Sequence, residues 1–199
     1  MIIQCESKIL IIGSVGVGKT TAIQTICDED VISTEVIPTD AIAQIKSLTT
    51  VGIDFGVINV ANHSRIVLYG MPGQERFEFM LTVLLDQINA VLLLINHSSK
   101  DPVGELRATL EKLSKSLPHS MPMVIGITHY CQTSDAGLSP YFDLVESIDF
   151  PWNHQYGAPP IFIVDTRKKD DVISALIALA AITEGDMKFK KNTLKKEFV

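Results

Sequence analysis

Six short apolar runs alternate with longer segments of mixed polarity along this chain. Most of the runs are continuous in Val, Ile and Leu rather than alternating, which is typical of strands buried on both faces of a mostly parallel sheet. The runs span residues 8–12, 52–60, 65–69, 90–95, 123–127 and 161–164. We therefore predict a sheet of about six strands, which needs helices on both faces.

Helical periodicity fills several of the gaps between these runs. One segment has four leucines in a 4-3-4 spacing that places them on a single helix face: Leu106, Leu110, Leu113 and Leu117. A last helix is predicted over residues 171–183, and a short helical patch over residues 141–148 lies inside a proline-containing surface segment, 132–160. The alternation of strands and helices indicates an α/β doubly wound fold.

One connection breaks this alternation. Residues 61–64 are too few to form a helix between the second and third runs. Because parallel neighbours need a long crossover, a connection this short predicts an antiparallel hairpin.

The run GSVGVGKT, residues 13–20, follows the first predicted strand and precedes a helical pattern. It matches G-x-x-x-x-G-K-[ST], in which glycines let backbone N–H groups point inward around phosphates. Lys19 supplies a cation for the β and γ phosphates, and the Thr20 hydroxyl suits Mg²⁺. The sequence therefore predicts a nucleoside-triphosphate site formed by Ser14, Val15, Gly16, Val17, Gly18, Lys19, Thr20 and Thr21.

Composition narrows the remaining possibilities. The 199 residues fit one domain, and a net charge of -6 argues against a nucleic-acid binder, which needs basic surface. The three cysteines (Cys5, Cys27 and Cys131) form no CxxC pair, so reduced thiols are expected.

No apolar run reaches the roughly 18 residues that a membrane span needs, and the first apolar stretch lacks a basic leader. We expect a cytoplasmic protein without a transmembrane segment.

Two further segments follow in a familiar order: LTTVGIDFG at residues 48–56 and MPGQERF at residues 71–77. With the phosphate loop, they make residues 8–183 resemble a small Ras-like GTPase and, more narrowly, the bacterial MglA-like members. The resemblance implies a Ras-like nucleotide-binding domain over residues 1–185, a basic tail over 186–199, and GTP or GDP bound with Mg²⁺.

The resemblance also assigns residues in the two switch segments. Thr50 corresponds to the threonine that reaches Mg²⁺ and the γ phosphate, with Thr49 as the alternative. Gly73 would offer its backbone N–H to the γ phosphate. Gln74 would orient the attacking water, so that Gln74 and Lys19 are the expected catalytic residues.

The chain departs from the Ras-like pattern at the metal. Ras-like proteins begin switch II with Asp-x-x-Gly, whereas this chain has Gly70-Met71-Pro72-Gly73, as MglA-like members do in lacking the acid and having the proline. Mg²⁺ prefers an anionic oxygen nearby. Asp54, on the neighbouring strand, is the candidate replacement, and a purely structural role is the alternative.

It departs again at the base. The guanine-reading Asn-Lys-x-Asp is replaced by Thr128-His129-Tyr130-Cys131, and a thiol cannot accept two bonds from the guanine N1 and N2 edge. We expect the His129 ring to pack over the base and the Thr128 hydroxyl to brace the phosphate loop, with Asp135 as a distant substitute. The run Asp165-Thr166-Arg167 corresponds to the family's Ser-Ala-Lys, whose backbone N–H reaches the purine O6. Guanine or adenine specificity stays open.

Three functions fit these features. The first is a slow or partner-dependent GTPase switch, whose effector or activator, roadblock-type in MglA-like proteins, contacts residues 37–50 and 70–79. The second is a pseudo-GTPase interaction module with relaxed base specificity, and the third is an ATPase or small-molecule kinase. Val15 would crowd an arginine finger from a partner. Hydrolysis would then use an internal cation, Lys46 or Arg76, or it would be slow until a partner reshapes the loop.

The end of the chain is rich in lysine, at Lys188, Lys190, Lys191, Lys195 and Lys196. Such a tail touches anionic lipid or an acidic partner, or is simply solvated. It ends without a prenylation cysteine, so no lipid anchor is expected there.

Overall fold

The computed structural model of this protein describes residues 5–27, 54–60, 64–71, 87–118, 121–130, 137–148 and 157–197. Within these ranges there are six strands: β1 (Cys5–Ile12), β2 (Asp54–Val60), β3 (Ser64–Gly70), β4 (Ala90–Asn96), β5 (Met123–Thr128) and β6 (Ile161–Ile163). The described ranges also contain four helices: α1 (Lys19–Ile26), α2 (Pro102–Ser116), α3 (Ser139–Ser147) and α4 (Lys169–Glu197).

The strands form one sheet in the order β2-β3-β1-β4-β5-β6. Only β2 and β3 are antiparallel, with Asp54 opposite Gly70 and Val60 opposite Ser64, and the other neighbours are parallel. The predicted mostly parallel sheet of six strands and its hairpin are therefore confirmed. The consecutive strands β3 and β4 lie on opposite sides of β1. The carboxyl end of β1 is therefore at the switch point where such sheets bind ligands.

Helices cover both faces of the sheet, as predicted. On one face, α2 and α3 pack against alternate residues of the central strands such as Leu93 of β4. On the other face, α1 and α4 pack against the intervening residues such as Leu92. Both leucines are fully buried, and each such burial contributes roughly 1.5–3 kcal/mol. This double burial explains why β4 and β5 are continuous apolar runs.

Local chemistry explains where α2 begins, whereas the end of the last helix differs from the prediction. The side chain of Asp101 caps α2 by accepting from the Gly104 N–H at 2.8 Å. The last helix does not end at residue 183, because α4 continues to Glu197. That predicted end is wrong, since the following residues are mostly good helix formers and include no proline. The domain division at residue 185 stays a prediction.

None of the described helices combines the length and the apolar character needed to cross a membrane.

Candidate nucleotide-binding site

The phosphate loop connects β1 to α1 in a conformation that requires glycine. Gly13, Gly16 and Gly18 have φ of 156°, 79° and 101°. A Cβ added at Gly13 would lie 2.5 Å from the carbonyl oxygen of Leu94, so the loop passes directly against β4. The strand, loop and helix therefore follow one another as the motif predicts, with the N-terminus of α1 facing the loop.

Lys19 begins α1 and its side chain folds back over the loop. Its Nζ donates to the carbonyl oxygens of Gly13 and Ser14, both at 2.8 Å. Burial lowers the pKa of Lys19, and the nearby charge of Asp54 partly opposes that shift. The loop carbonyls thus hold the ammonium group in the centre of the loop, where phosphate oxygens are its natural partners.

Thr20 and Asp54 meet beside the loop. The Thr20 hydroxyl donates to Oδ2 of Asp54 at 2.5 Å. Asp54 begins β2 and lies opposite Gly70, where the Ras-like pattern has its acid. A Cβ at Gly70 would lie 3.0 Å from the Cβ of Asp54 and 3.3 Å from its Oδ2. The side chain of Asp54 therefore fills the space beside Gly70, and the hydroxyl and carboxylate oxygens are donors that Mg²⁺ prefers.

The carboxyl end of β5 is the start of the region expected to hold the base. Thr128 is buried, and its hydroxyl donates to the Ile95 carbonyl at 3.3 Å and lies 3.0 Å from Nδ1 of His129. The expected brace from Thr128 to the phosphate loop is not formed among the described residues, because the hydroxyl donates to the neighbouring strand β4 instead. His129 is exposed with φ of 53°, and its carbonyl accepts from the Ser98 hydroxyl.

The loop after β6 lies against the phosphate loop. The Thr166 Oγ1 is 2.5 Å from where a Cβ at Gly18 would be. Two of the three amides expected near the base are already bonded: the Asp165 N–H donates to Oδ2 of Asp171 and the Arg167 N–H to Oδ1 of Asp165. Within the described part of the chain, the Thr166 N–H has no acceptor. It is the amide of this loop that can bind a purine oxygen.

An aromatic cluster beside the base region was missed by the sequence analysis. Nδ1 of His97 lies 2.7 Å from the hydroxyl of Tyr141, and its ring centroid lies 4.9 Å from that of Tyr130. Burial, with smaller contributions from Glu105 and Tyr130, raises the pKa of Tyr141 to about 12. In the sequence, only the position of His97 could have indicated this cluster, because His97 directly follows β4 at the same end of the sheet as the phosphate loop.

Several predicted site residues lie outside the described residues. They are Lys46, Thr49, Thr50, Gly73, Gln74, Arg76, Cys131 and Asp135. Their roles stay predictions, as do the nucleotide-binding roles of the loop residues Ser14 to Thr21.

Comparisons with known proteins agree with this arrangement. A family model described as the 50S ribosome-binding GTPase matches residues 8–129, which include the phosphate loop, both strands of the hairpin and the end of β5. The chain belongs to this GTPase family. Its match ends at His129, so the loop after β6 lies beyond it.

Two relatives and one solved structure extend the comparison. An uncharacterised protein of Methanocaldococcus jannaschii is 32% identical over 117 residues, 58% of this chain and 68% of that protein. Ras-related protein Rab-18 of Lymnaea stagnalis is 31% identical over 124 residues, 60% of this GTPase and 55% of Rab-18.

The solved structure is the Arl6 BBS3 small GTPase from Trypanosoma brucei with the bound nucleotide analogue GppNp. It superposes with a TM-score of 0.61 at 15% identity, covering 90% of this chain and 98% of that one. These matches show a Ras-like P-loop GTPase fold. The narrower MglA-like resemblance and a bacterial origin stay predictions.

Proposed function

We propose that this GTPase is a molecular switch that binds GTP or GDP with Mg²⁺ and hydrolyses GTP slowly or with a partner. The observation that carries the proposal is the hydrogen bond from Thr20 to Asp54 beside the phosphate loop. It gives the site two oxygen ligands for a hard cation next to a lysine, although the usual switch II acid is absent.

The first step is capture of the triphosphate. The amides of the loop and the N-terminus of α1 attract phosphate oxygens. The ammonium group of Lys19 exchanges its two carbonyl partners, Gly13 and Ser14, for the β and γ phosphates. Burial lowers the pKa of Lys19. The negative charge of a bound phosphate opposes that shift and favours the protonated form.

Asp54 and Thr20 would hold the metal. Bound Mg²⁺ neutralises charge on the β and γ phosphates. Thr20 would turn its hydroxyl oxygen from Asp54 to the cation, while the Asp54 carboxylate supplies the negative charge that an acid at position 70 supplies in Ras-like proteins. The antiparallel register places that carboxylate directly opposite Gly70.

Selection for guanine would begin at Thr166. Its N–H can donate to the O6 of guanine but not to the amino group of adenine. A single backbone donor gives modest discrimination, so further contacts have to contribute to guanine specificity.

Hydrolysis would depend on Gln74, which the resemblance assigns to orienting the attacking water. Val15 has 84% of its surface exposed at the outer side of the loop, where a branched side chain would crowd an arginine finger. Hydrolysis is therefore expected to be slow until a partner binds residues 37–50 and 70–79. That partner, the Mg²⁺ and a cytoplasmic location all belong to this proposal.

The metal assignment is tested by moving the carboxylate between the two strands. We expect Asp54→Gly to weaken Mg²⁺-dependent GTP binding roughly tenfold or more, as loss of a hydrogen-bonded charge does. The double variant Asp54→Gly, Gly70→Asp restores the carboxylate on the opposite strand and should recover most of that loss. Titration with Mg²⁺ at fixed GTP measures both. An Asp54→Gly protein with an unchanged Mg²⁺ requirement contradicts the assignment.

The pseudo-GTPase alternative is favoured by one observation, the absence of an acid at position 131, where the family reads guanine. Single-turnover phosphate release separates the two functions. A switch releases phosphate from GTP and loses that release in Gln74→Ala, whereas an interaction module binds nucleotide and releases none.

A further inference from the structure

Asp165 is the first acidic residue after β6, separated from that strand by Val164. The two strands pair in register with Ile127 opposite Ile163, and the Val164 N–H donates to the Ile127 carbonyl at 2.9 Å. Two residues beyond this pair the chains reach His129 and Asp165, so both residues lie at the carboxyl end of these two neighbouring strands.

The same loop is in contact with the phosphate loop. Thr166, the residue after Asp165, packs its side chain against Gly18. A nucleotide whose phosphates lie in the phosphate loop therefore has its base directed towards Asp165, Thr166 and His129.

The Asp165 carboxylate is held by a guanidinium group. Nε of Arg167 donates to Oδ1 at 2.8 Å and Nη2 donates to Oδ2 at 2.9 Å. These hydrogen bonds hold the pKa of Asp165 at about 2, well below its usual range. The acid is largely covered, with 26% of its side chain exposed, whereas 80% of the arginine side chain is exposed. The arginine is thus the more exposed member of a surface ion pair, and such pairs are readily displaced.

Guanine presents the same donor pattern that Arg167 presents. Its N1–H and N2–H groups are coplanar, adjacent and nearly parallel, as are the two N–H groups of an arginine fork, and both match the two oxygens of a carboxylate. We propose that the Asp165 carboxylate reads the N1 and N2 edge of guanine in place of the acid missing at Cys131, and that Arg167 occupies this carboxylate until the base displaces it. This inference rests on the proposed function.

Three other carboxylates near this end of the sheet are engaged elsewhere. Asp54 accepts from Thr20 on the metal side, and Asp101 caps α2. Asp171 accepts the backbone N–H of Asp165 and so positions the loop. Among the described residues, Asp165 is the acid whose partner is an exposed side chain that can leave.

The test uses bases that differ only at position 2. Xanthine has an oxygen where guanine has its amino group, so a carboxylate prefers GTP, whereas an asparagine can donate to that oxygen and prefers XTP. We expect Asp165→Asn to shift the ratio of XTP to GTP affinity by roughly 100-fold, about tenfold for each charge-assisted bond. Competition against a fluorescent GDP analogue on the full chain measures this ratio, which is independent of the folded fraction.

Two further variants complete the test. Asp170→Asn removes an exposed charge five residues away and should leave the ratio unchanged. Arg167→Ala removes the competitor and should strengthen GTP binding several-fold while GTP remains preferred to XTP. If Arg167→Ala abolishes that preference, the arginine reads the base and the inference is wrong.

The failure of this inference differs from the failure of the proposed function. An unmodified protein that binds no GTP overturns both. An unmodified protein that prefers GTP, together with an Asp165→Asn variant that keeps the same ratio of XTP to GTP affinity, overturns the inference alone.

Discussion

The two ends of the candidate nucleotide site are constructed differently. At the phosphate end, one continuous stretch supplies the backbone conformation, the lysine and the threonine, as the contacts of Lys19 with Gly13 and Ser14 show. At the base end, side chains come from the ends of β4, β5 and β6 and from α3. Phosphates are recognised by backbone amides and charge, whereas a base is recognised by separate side chains. The phosphate end is therefore a local motif, and the base end can change piece by piece.

A single geometric rule links the departures at the two ends. On our proposal for the metal, the carboxylate expected at position 70 on β3 is replaced by Asp54 on the adjacent strand β2, which lies opposite Gly70. On our proposal, the base-reading acid expected at position 131, after β5, is likewise replaced by Asp165 after the adjacent strand β6. Neighbouring strand ends meet at one edge of the sheet, so a carboxylate can reach the same ligand from either strand.

The largest predicted effect is at the phosphate end. Lys19→Ala should weaken GTP binding by roughly two orders of magnitude or more, because it removes a partly buried, hydrogen-bonded cation from the loop. Isothermal titration of nucleotide-stripped protein measures the loss. Lys115→Ala, an exposed lysine in the last turn of α2, is the matched control and should bind like the unmodified protein. A loss below tenfold in Lys19→Ala would show that the amides alone dominate phosphate binding.

The next prediction concerns the contact that joins the two ends. Gly18→Ala should lower the free energy of unfolding by about 2–4 kcal/mol, the sum of left-handed backbone strain and overpacking against Thr166. Gly16→Ala is the matched control, since Gly16 also has positive φ but no atom within 4 Å of an added Cβ. It should lose about 1–2 kcal/mol from backbone strain alone.

A double variant isolates the clash between the two loops. Adding Thr166→Ala to Gly18→Ala removes the two closest side-chain atoms and should recover part of the loss, so that the two changes are not additive. Urea unfolding measures the free energy of unfolding of the unmodified protein, of each single variant and of the double variant. Strictly additive changes would mean that the two loops are energetically independent despite their contact.

The sequence predicted the fold well because the decisive features were local or periodic. Continuous apolar runs indicated buried strands, and the short connection at residues 61–64 indicated the hairpin. That connection did not fix the register: with residues 61–64 as the turn, Val60 would face Arg65, whereas Val60 pairs with Ser64 and so Asp54 pairs with Gly70. The end of the last helix was missed, because α4 continues through Gly185 and no proline follows residue 183.

The candidate site was less predictable where it depends on side chains distant in sequence. The hydroxyl of Thr128 was expected on the phosphate loop, yet it donates to a carbonyl of the neighbouring strand β4, that of Ile95. The contact between His97 and Tyr141 spans 44 positions, and no motif encodes it. The fork between Asp165 and Arg167 is local, but its residues were interpreted through their backbone amides only.

The smallest predicted effect tests the aromatic support of the base end. Tyr141→Phe should lower the free energy of unfolding by about 1 kcal/mol, because it removes one hydrogen bond to His97 without opening a cavity. Tyr69→Phe is the matched control, since Tyr69 is also a buried residue but no hydrogen bond joins its hydroxyl to another described residue. Urea unfolding should show a lower midpoint with an unchanged slope for Tyr141→Phe. Equal losses in the two variants would mean that the hydrogen bond to His97 adds no stability, and that packing alone supports the base end.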